Sequence, residues 1–210
     1  MLITRTAALV DTCPLLTAEI WSANVEASQP RGHLPSLREA AFNAEAAQKR
    51  AVNMSQVFRT LGARGRSPVE SQIERASTGA LDYSRHNAIV DFLLYAEIWT
   101  GILIGFHDAS TIGDEVRLGL ASDANRSAYE HISKKDITLR SSEPVLLASH
   151  RIIGSLRHGP DYATRLTSET KKLWAVAFGS PGETDDELRS LASSICAAGV
   201  DFGIWTIASC

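Results

Sequence analysis

Five short apolar runs follow one another between Ile102 and Arg157: ILIGF, EVRLGLA, DITLR, PVLLASH and RIIGSLR. Their length and their content of Leu and β-branched residues give them strand character, so the second half of the chain must build sheet. Two further runs join them. LWAVAFG (173–179) and DFGIWTIAS (201–209) read as strands, and residues 7–25 read as one or two strands because Leu16, Ala18 and Ile20 alternate with Thr17, Glu19 and Trp21. SDANRSAYEHISKK (122–135) is polar and reads as an exposed loop.

Helices are predicted mainly in the first half and near the end. Residues 36–59 are rich in Ala and Glu and open with Ser36 and Glu39, the spacing at which each side chain satisfies the other's backbone N–H. Ser67-Pro68-x-Glu70 starts a short helix over about 68–76, with the cap, the proline and the acid each in a favoured place. Asn87 caps a third, whose Ile89, Val90, Leu93, Leu94, Glu97 and Ile98 recur at helical spacing until Gly101 stops it. Residues 182–198 form the last, with three acids near its positive end. No repeat and no linker divides the chain, and 210 residues at 44% hydrophobic and 21% charged suffice for a single domain over 1–210 with a full core.

Charge excludes some partners. With 21 Lys and Arg against 24 Asp and Glu, the net charge of −3 gives no overall attraction to DNA or to an anionic membrane. Contact with RNA would have to come from a local patch. No basic leader with an apolar segment opens the sequence, and no apolar run approaches the ~18 residues a bilayer needs, so a cytoplasmic location is expected. Cys13, Cys196 and Cys210 form no CxxC pair and no metal-ligand spacing with His, so reduced thiols and neither metal nor cofactor are expected.

Four segments in order, FRTLGARGRSPVESQIERAST, NAIVDFLLYAEIWTGILIGFHD, GDEVRLGLA and TRLTSETKKLWAVAFG, carry a resemblance. Together they are similar to the tRNA-editing domain (the B3/B4 domain) of the phenylalanyl-tRNA synthetase β subunit in stand-alone form, over about residues 56–198. The family pattern runs YRxLG, S-x-E, an N-P-x-V-D helix leading into a Gly-rich strand that ends in an aromatic-Asp pair, G-D-x-x-L-R, and T-x-x-T before a last strand. The resemblance implies an α/β fold of the α+β type, with mixed β-sheets flanked by helices. It also implies a pocket that hydrolyses an aminoacyl ester on tRNA. Ala88 stands where the family has proline, and Leu94, Gly105 and Val176 stand where bacterial synthetases carry a polar Asn, a His and a Glu. Such a pocket has no partner for a tyrosine hydroxyl.

Ester hydrolysis needs a positioned water, a proton acceptor and polar groups that hold the substrate. His86 and His107 bracket the helix and strand of the second segment, and Asp108 follows His107 where the family has its aromatic-Asp pair; these three are the candidate catalytic residues, with Asn87 beside them. His150, Arg151 and Arg157, with Thr167 and Thr170, form a second group suited to a carboxylate or phosphate. Plainer roles exist for most of them: Asn87 and Asp108 as caps, the arginines as a solvated strand face. The partner is thus an aminoacyl-tRNA, or an amino-acid-like small molecule if the fold has been turned to biosynthetic chemistry. A binding module without chemistry is the third alternative.

Overall fold

A computed structural model describes residues 3–25, 33–42, 45–61, 65–83, 87–113 and 115–209. The elements in chain order are β1 (Thr4–Arg5), α1 (Ala7–Thr12), β2 (Thr17–Val25), α2 (Leu37–Phe42), α3 (Glu45–Thr60), α4 (Pro68–Ser77) and α5 (Ala88–Thr100). They continue as β3 (Leu103–Asp108), β4 (Val116–Leu120), β5 (Ala128–Glu130), β6 (Asp136–Thr138), β7 (Pro144–Ala148) and β8 (Arg151–Ser155). The last are β9 (Gly159–Pro160), β10 (Lys172–Gly179), α6 (Asp185–Asp201) and β11 (Trp205–Ser209).

Local chemistry explains the helix boundaries. Ser36 and Glu39 exchange their hydrogen bonds at 3.2 Å each, Ser67 accepts from the Glu70 N–H at 3.2 Å, and Thr184 and Glu187 form the same reciprocal pair. Asn87 Oδ1 accepts from the N–H of Ile89 at 3.0 Å, and α5 ends at Gly101 with φ 74°. Any side chain at 101 meets strain twice, because a Cβ there would also run into the backbone of Ala47. Gly101→Ala should therefore cost about 2 kcal/mol or more, read as a lower urea midpoint at unchanged slope.

Three sheets result. A four-stranded antiparallel sheet has the order β11-β2-β10-β3, a five-stranded sheet the order β1-β4-β7-β8-β9, and β5 pairs with β6. The fold is of mixed α and β character, with sheets flanked by helices. The second sheet is itself mixed, since β1 runs parallel to β4 and the other neighbours are antiparallel. Alternation along β2 and β10 divides the apolar residues between two cores. Ala18, Ile20, Val176 and Phe178 join Leu118, Leu146 and Ile153 of the five-stranded sheet, closed by residues of α2 to α4. Trp21, Ala23 and Ala175 instead face α5 and α6, where Trp205 meets Phe92 edge-on at 4.9 Å and donates its Nε1–H to the Cys196 carbonyl at 3.1 Å.

Three expectations change. Residues 7–12 form a helix rather than strand, because the Thr6 hydroxyl accepts from the Leu9 N–H and caps it. Part of 122–135 is paired sheet rather than loop: β5 bonds to β6, and Tyr129 is buried with its hydroxyl donating to the Gly159 carbonyl at 2.9 Å. Cys13 is free and buried, but Cys196 is disulfide-bonded, which corrects the expectation of reduced thiols throughout. Among the described residues, no helix is long and apolar enough to cross a membrane.

Candidate functional site

β3 is the edge strand of the four-stranded sheet, and its alternation decides what faces the neighbouring sheet. Ile104 and Phe106 point into the core beneath α5 and α6, whereas Leu103, Gly105 and His107 face the other way, toward β8 and β9. Two glycines make room there. A Cβ at Gly154 of β8 would lie 3.4 Å from His107 Cε1, and one at Gly105 would lie 3.5 Å from Nε2. The imidazole thus fits edge-on between two backbones, 1% exposed.

Its hydrogen bonds fix its chemistry. Nδ1 is 2.8 Å from the Thr164 hydroxyl, and that hydroxyl also makes a very short bond to Asp161 Oδ1, which further accepts the Thr164 N–H at 3.0 Å. Asp161 Oδ2 accepts from Arg151 at 3.0 Å. A hydroxyl has one proton, and an ionised carboxylate can only accept, so Thr164 gives its proton to Asp161 and receives one from His107 Nδ1. Nε2 is therefore left unprotonated, with its lone pair on the side of Gly105. Burial lowers the His107 pKa to about 4, and the Arg151 charge adds to this, so the ring is neutral at physiological pH. The Asp161 carboxyl is pushed up by burial, against the hydrogen bonds from Thr164 and the Arg151 charge.

His107 lines a small cavity of about 50 Å³ between the two sheets, with Leu103, Leu146, Leu156 and Phe178 as its apolar wall. Behind β3, buried Glu97 accepts the Ile104 N–H at 3.0 Å and so holds the strand's outer edge. Burial raises its pKa to about 7, with hydrogen bonds from Ile104 and Gln72 acting against the rise. Gly105→Ala should leave folding intact, since its methyl meets only ordinary contacts at 3.5 Å or more. It should nevertheless weaken any ligand that reaches Nε2, by about tenfold in titration calorimetry.

The other candidates lie in several places. Asp108 sits beside His107 in sequence but on the opposite face, and its carboxylate caps the following turn through the Ser110 N–H at 2.9 Å and hydroxyl at 2.6 Å, and takes the Thr170 hydroxyl at 2.7 Å. Burial pushes Asp108 up, but these bonds carry it below the usual carboxylate range. Thr167 turns back onto Thr170, its N–H donating to the Thr170 hydroxyl at 3.0 Å. Asn87 is committed to its cap, and His86 lies outside the described residues. Arg151 reaches the His107 relay, whereas exposed His150 does not; Arg157 pairs with Glu143 at 3.6 Å. Gly105 and Val176 stand opposite each other across β3 and β10, and Leu94 packs against the inter-sheet core.

Asp161 and Thr164 were not singled out from the sequence. The signal was present: an Asp three residues before a Thr in a Gly-Pro turn is placed to accept that Thr's backbone and hydroxyl protons. Among the described residues, no group of three or more His, Cys, Asp or Glu side chains could hold a metal ion.

No protein-family model and no curated protein matches this sequence. Among solved structures, the chain is weakly similar to the crystal structure of an N-terminal fragment of the phenylalanyl-tRNA synthetase beta-subunit from Pyrococcus horikoshii, at 12% identity and a TM-score of 0.47. The alignment covers 96% of this chain and 50% of that one, so the chain spans about half the length of its neighbour.

Proposed function

We propose that the chain hydrolyses an aminoacyl ester on tRNA in trans, with the amino acid held in the inter-sheet pocket and His107 as proton acceptor. The observation that carries this reading is the unprotonated Nε2, fixed by the Thr164–Asp161 relay on the wall of an apolar cavity between the sheets. Water attacking the ester carbonyl would give its proton to Nε2 as the new C–O bond forms. Collapse of the tetrahedral adduct returns that proton to the leaving ribose oxygen, releasing a free amino acid and uncharged tRNA. Because the pocket wall is apolar, the side chain accepted would be apolar too.

Deacylation of a panel of correctly and wrongly charged tRNAs tests this. His107→Asn is the informative variant, since the Asn amide keeps a donor for Thr164 but removes Nε2. The expected result is hydrolysis of one aminoacyl ester, slowed by about 100-fold or more in the variant. Equal rates would remove His107 from the mechanism. A base with a pKa of about 4 also predicts a rate level from pH 6 to 8 that falls only as Nε2 takes a proton near pH 4.

A second reading, an enzyme acting on a small amino-acid-derived molecule, is favoured by one feature. Several arginines of the basic segments are already engaged: Arg151 with Asp161, Arg157 with Glu143, Arg66 with Glu70 and Glu74, and Arg165 stacked 3.6 Å over the Tyr162 ring. Salt-sensitive binding of uncharged tRNA separates the two readings, because only the first requires it.

A further inference from the structure

β3 lacks one side chain on the face where its neighbours carry bulky ones. Gly105 stands between Leu103 and His107 there, and the space its side chain would take is bounded on two sides. A carbon at its Cβ position would lie 3.5 Å from His107 Nε2 and 3.9 Å from Phe178 Cε2, so a single methyl group touches both rings. Phe178 pairs with Leu103 across β10 and β3, next on that face to the Val176–Gly105 pair, and its buried ring leans along the sheet to close the slot. Leu146 of β7 and Leu156, which follows β8, cover it from the other sheet. The room left is about 50 Å³. An apolar protein cavity that takes a benzene ring has about 150 Å³, so this one holds roughly two or three carbon atoms.

We propose that the slot at Gly105 takes the side chain of a small aliphatic aminoacyl group, from alanyl to valyl, and that Phe178 sets this limit by excluding aromatic side chains. That the ligand is an aminoacyl group rests on the hydrolase reading above; the size limit stands on the two ring contacts and the volume. A side chain lying there replaces the one that β3 lacks and buries its carbons against Leu103, Leu146, Leu156 and Phe178, with a gain for each carbon until the slot is full. A larger one has to displace the Phe178 ring or the His107 ring, and the latter is fixed by its bond to Thr164. Selection against larger side chains is therefore steeper than selection against smaller ones, because a missing carbon forgoes a contact whereas an extra one meets a packed wall.

The test titrates the intact protein with L-alaninamide, L-valinamide and L-phenylalaninamide, which carry the acyl half of such an ester without the ester bond, and follows the nitrogen chemical shifts of the His107 ring. Alaninamide and valinamide should shift the ring, and phenylalaninamide should bind at least about tenfold more weakly. Phe178→Ala should reverse that order, with a gain of about tenfold or more for phenylalaninamide. Gly105→Ala, whose methyl occupies the slot, should weaken valinamide by about tenfold and more than it weakens alaninamide. Should Phe178→Ala fail to fold, Phe178→Leu, which shortens the wall and keeps it apolar, carries the same comparison. Phenylalaninamide bound by the wild-type protein as tightly as alaninamide, or an order of preference unmoved by the change at Phe178, overturns the assignment. So does the absence of any response to the three amides at ~50 mM. Rates on alanyl-, valyl- and phenylalanyl-tRNA read the hydrolase separately. A protein that ranks the amides in this order but releases no amino acid from tRNA keeps the slot and loses the hydrolase, whereas one that hydrolyses phenylalanyl-tRNA fastest keeps the hydrolase and loses the slot.

Discussion

Glu97→Gln should become more stable relative to the wild-type protein by about 3 kcal/mol as pH rises from 4.5 to 7. In the folded chain Glu97 keeps its proton up to about pH 7, whereas unfolded it ionises near 4.5. Its stabilising contribution is therefore complete below pH 4.5 and lost as pH climbs through 7. His107 has the opposite sign. Its folded pKa of about 4 lies below the unfolded 6.5, so the unfolded chain binds the extra proton between those values and stability falls as pH drops through that window. The two slopes cover nearly the same range and offset each other, which leaves the wild-type profile flatter than either group would make it. His107→Asn should expose the Glu97 slope, gaining about 3 kcal/mol on the wild type between pH 6.5 and pH 4. Urea denaturation at half-unit pH steps measures both differences. Parallel profiles for a variant and the wild type would mean that the buried group titrates as it does in water.

Thr164→Val should cost about 3 kcal/mol and free the histidine tautomer. The valine keeps the shape and the backbone N–H bond to Asp161 but removes the hydroxyl that takes the Nδ1 proton and feeds the carboxylate, leaving a buried donor without a partner. Nitrogen chemical shifts of His107 should change from a single Nδ1–H form to a mixture with Nε2–H, and Thr164→Ser should restore it. Deacylation should fall by about 100-fold through loss of the acceptor nitrogen, with the ester's KM little changed. A structural role alone would lower stability while leaving the tautomer in place, so a retained Nδ1–H signal in Thr164→Val would refute the relay.

Both predictions depend on contacts between distant parts of the chain. His107 itself is legible as a candidate, because an imidazole inside an apolar strand calls for a reason. Its neighbour Asp108 offered an obvious partner, but strand alternation places 107 and 108 on opposite faces, and the carboxylate satisfies Ser110 and Thr170 instead. The true partner lies 57 residues away. Likewise, the polar segment containing Tyr129 has little apolar content of its own, and it becomes sheet only because β6 and the Gly159 carbonyl are there to receive it.

The sequence by itself determined what is local: the caps at Ser36, Ser67, Asn87 and Thr184, the left-handed stop at Gly101, and the alternation that gives β2 and β10 two apolar faces. Those depend on bonds and periodicities within a few residues and so can be read along the chain. Tertiary structure alone decided that Gly105 and Gly154 would open a slot for one imidazole, and that Thr164 and Asp161 would set its tautomer. It also decided that Arg151 would join the same relay through Asp161. These follow from how two sheets stack face to face, and that stacking brings together residues whose separation in sequence carries no trace of it.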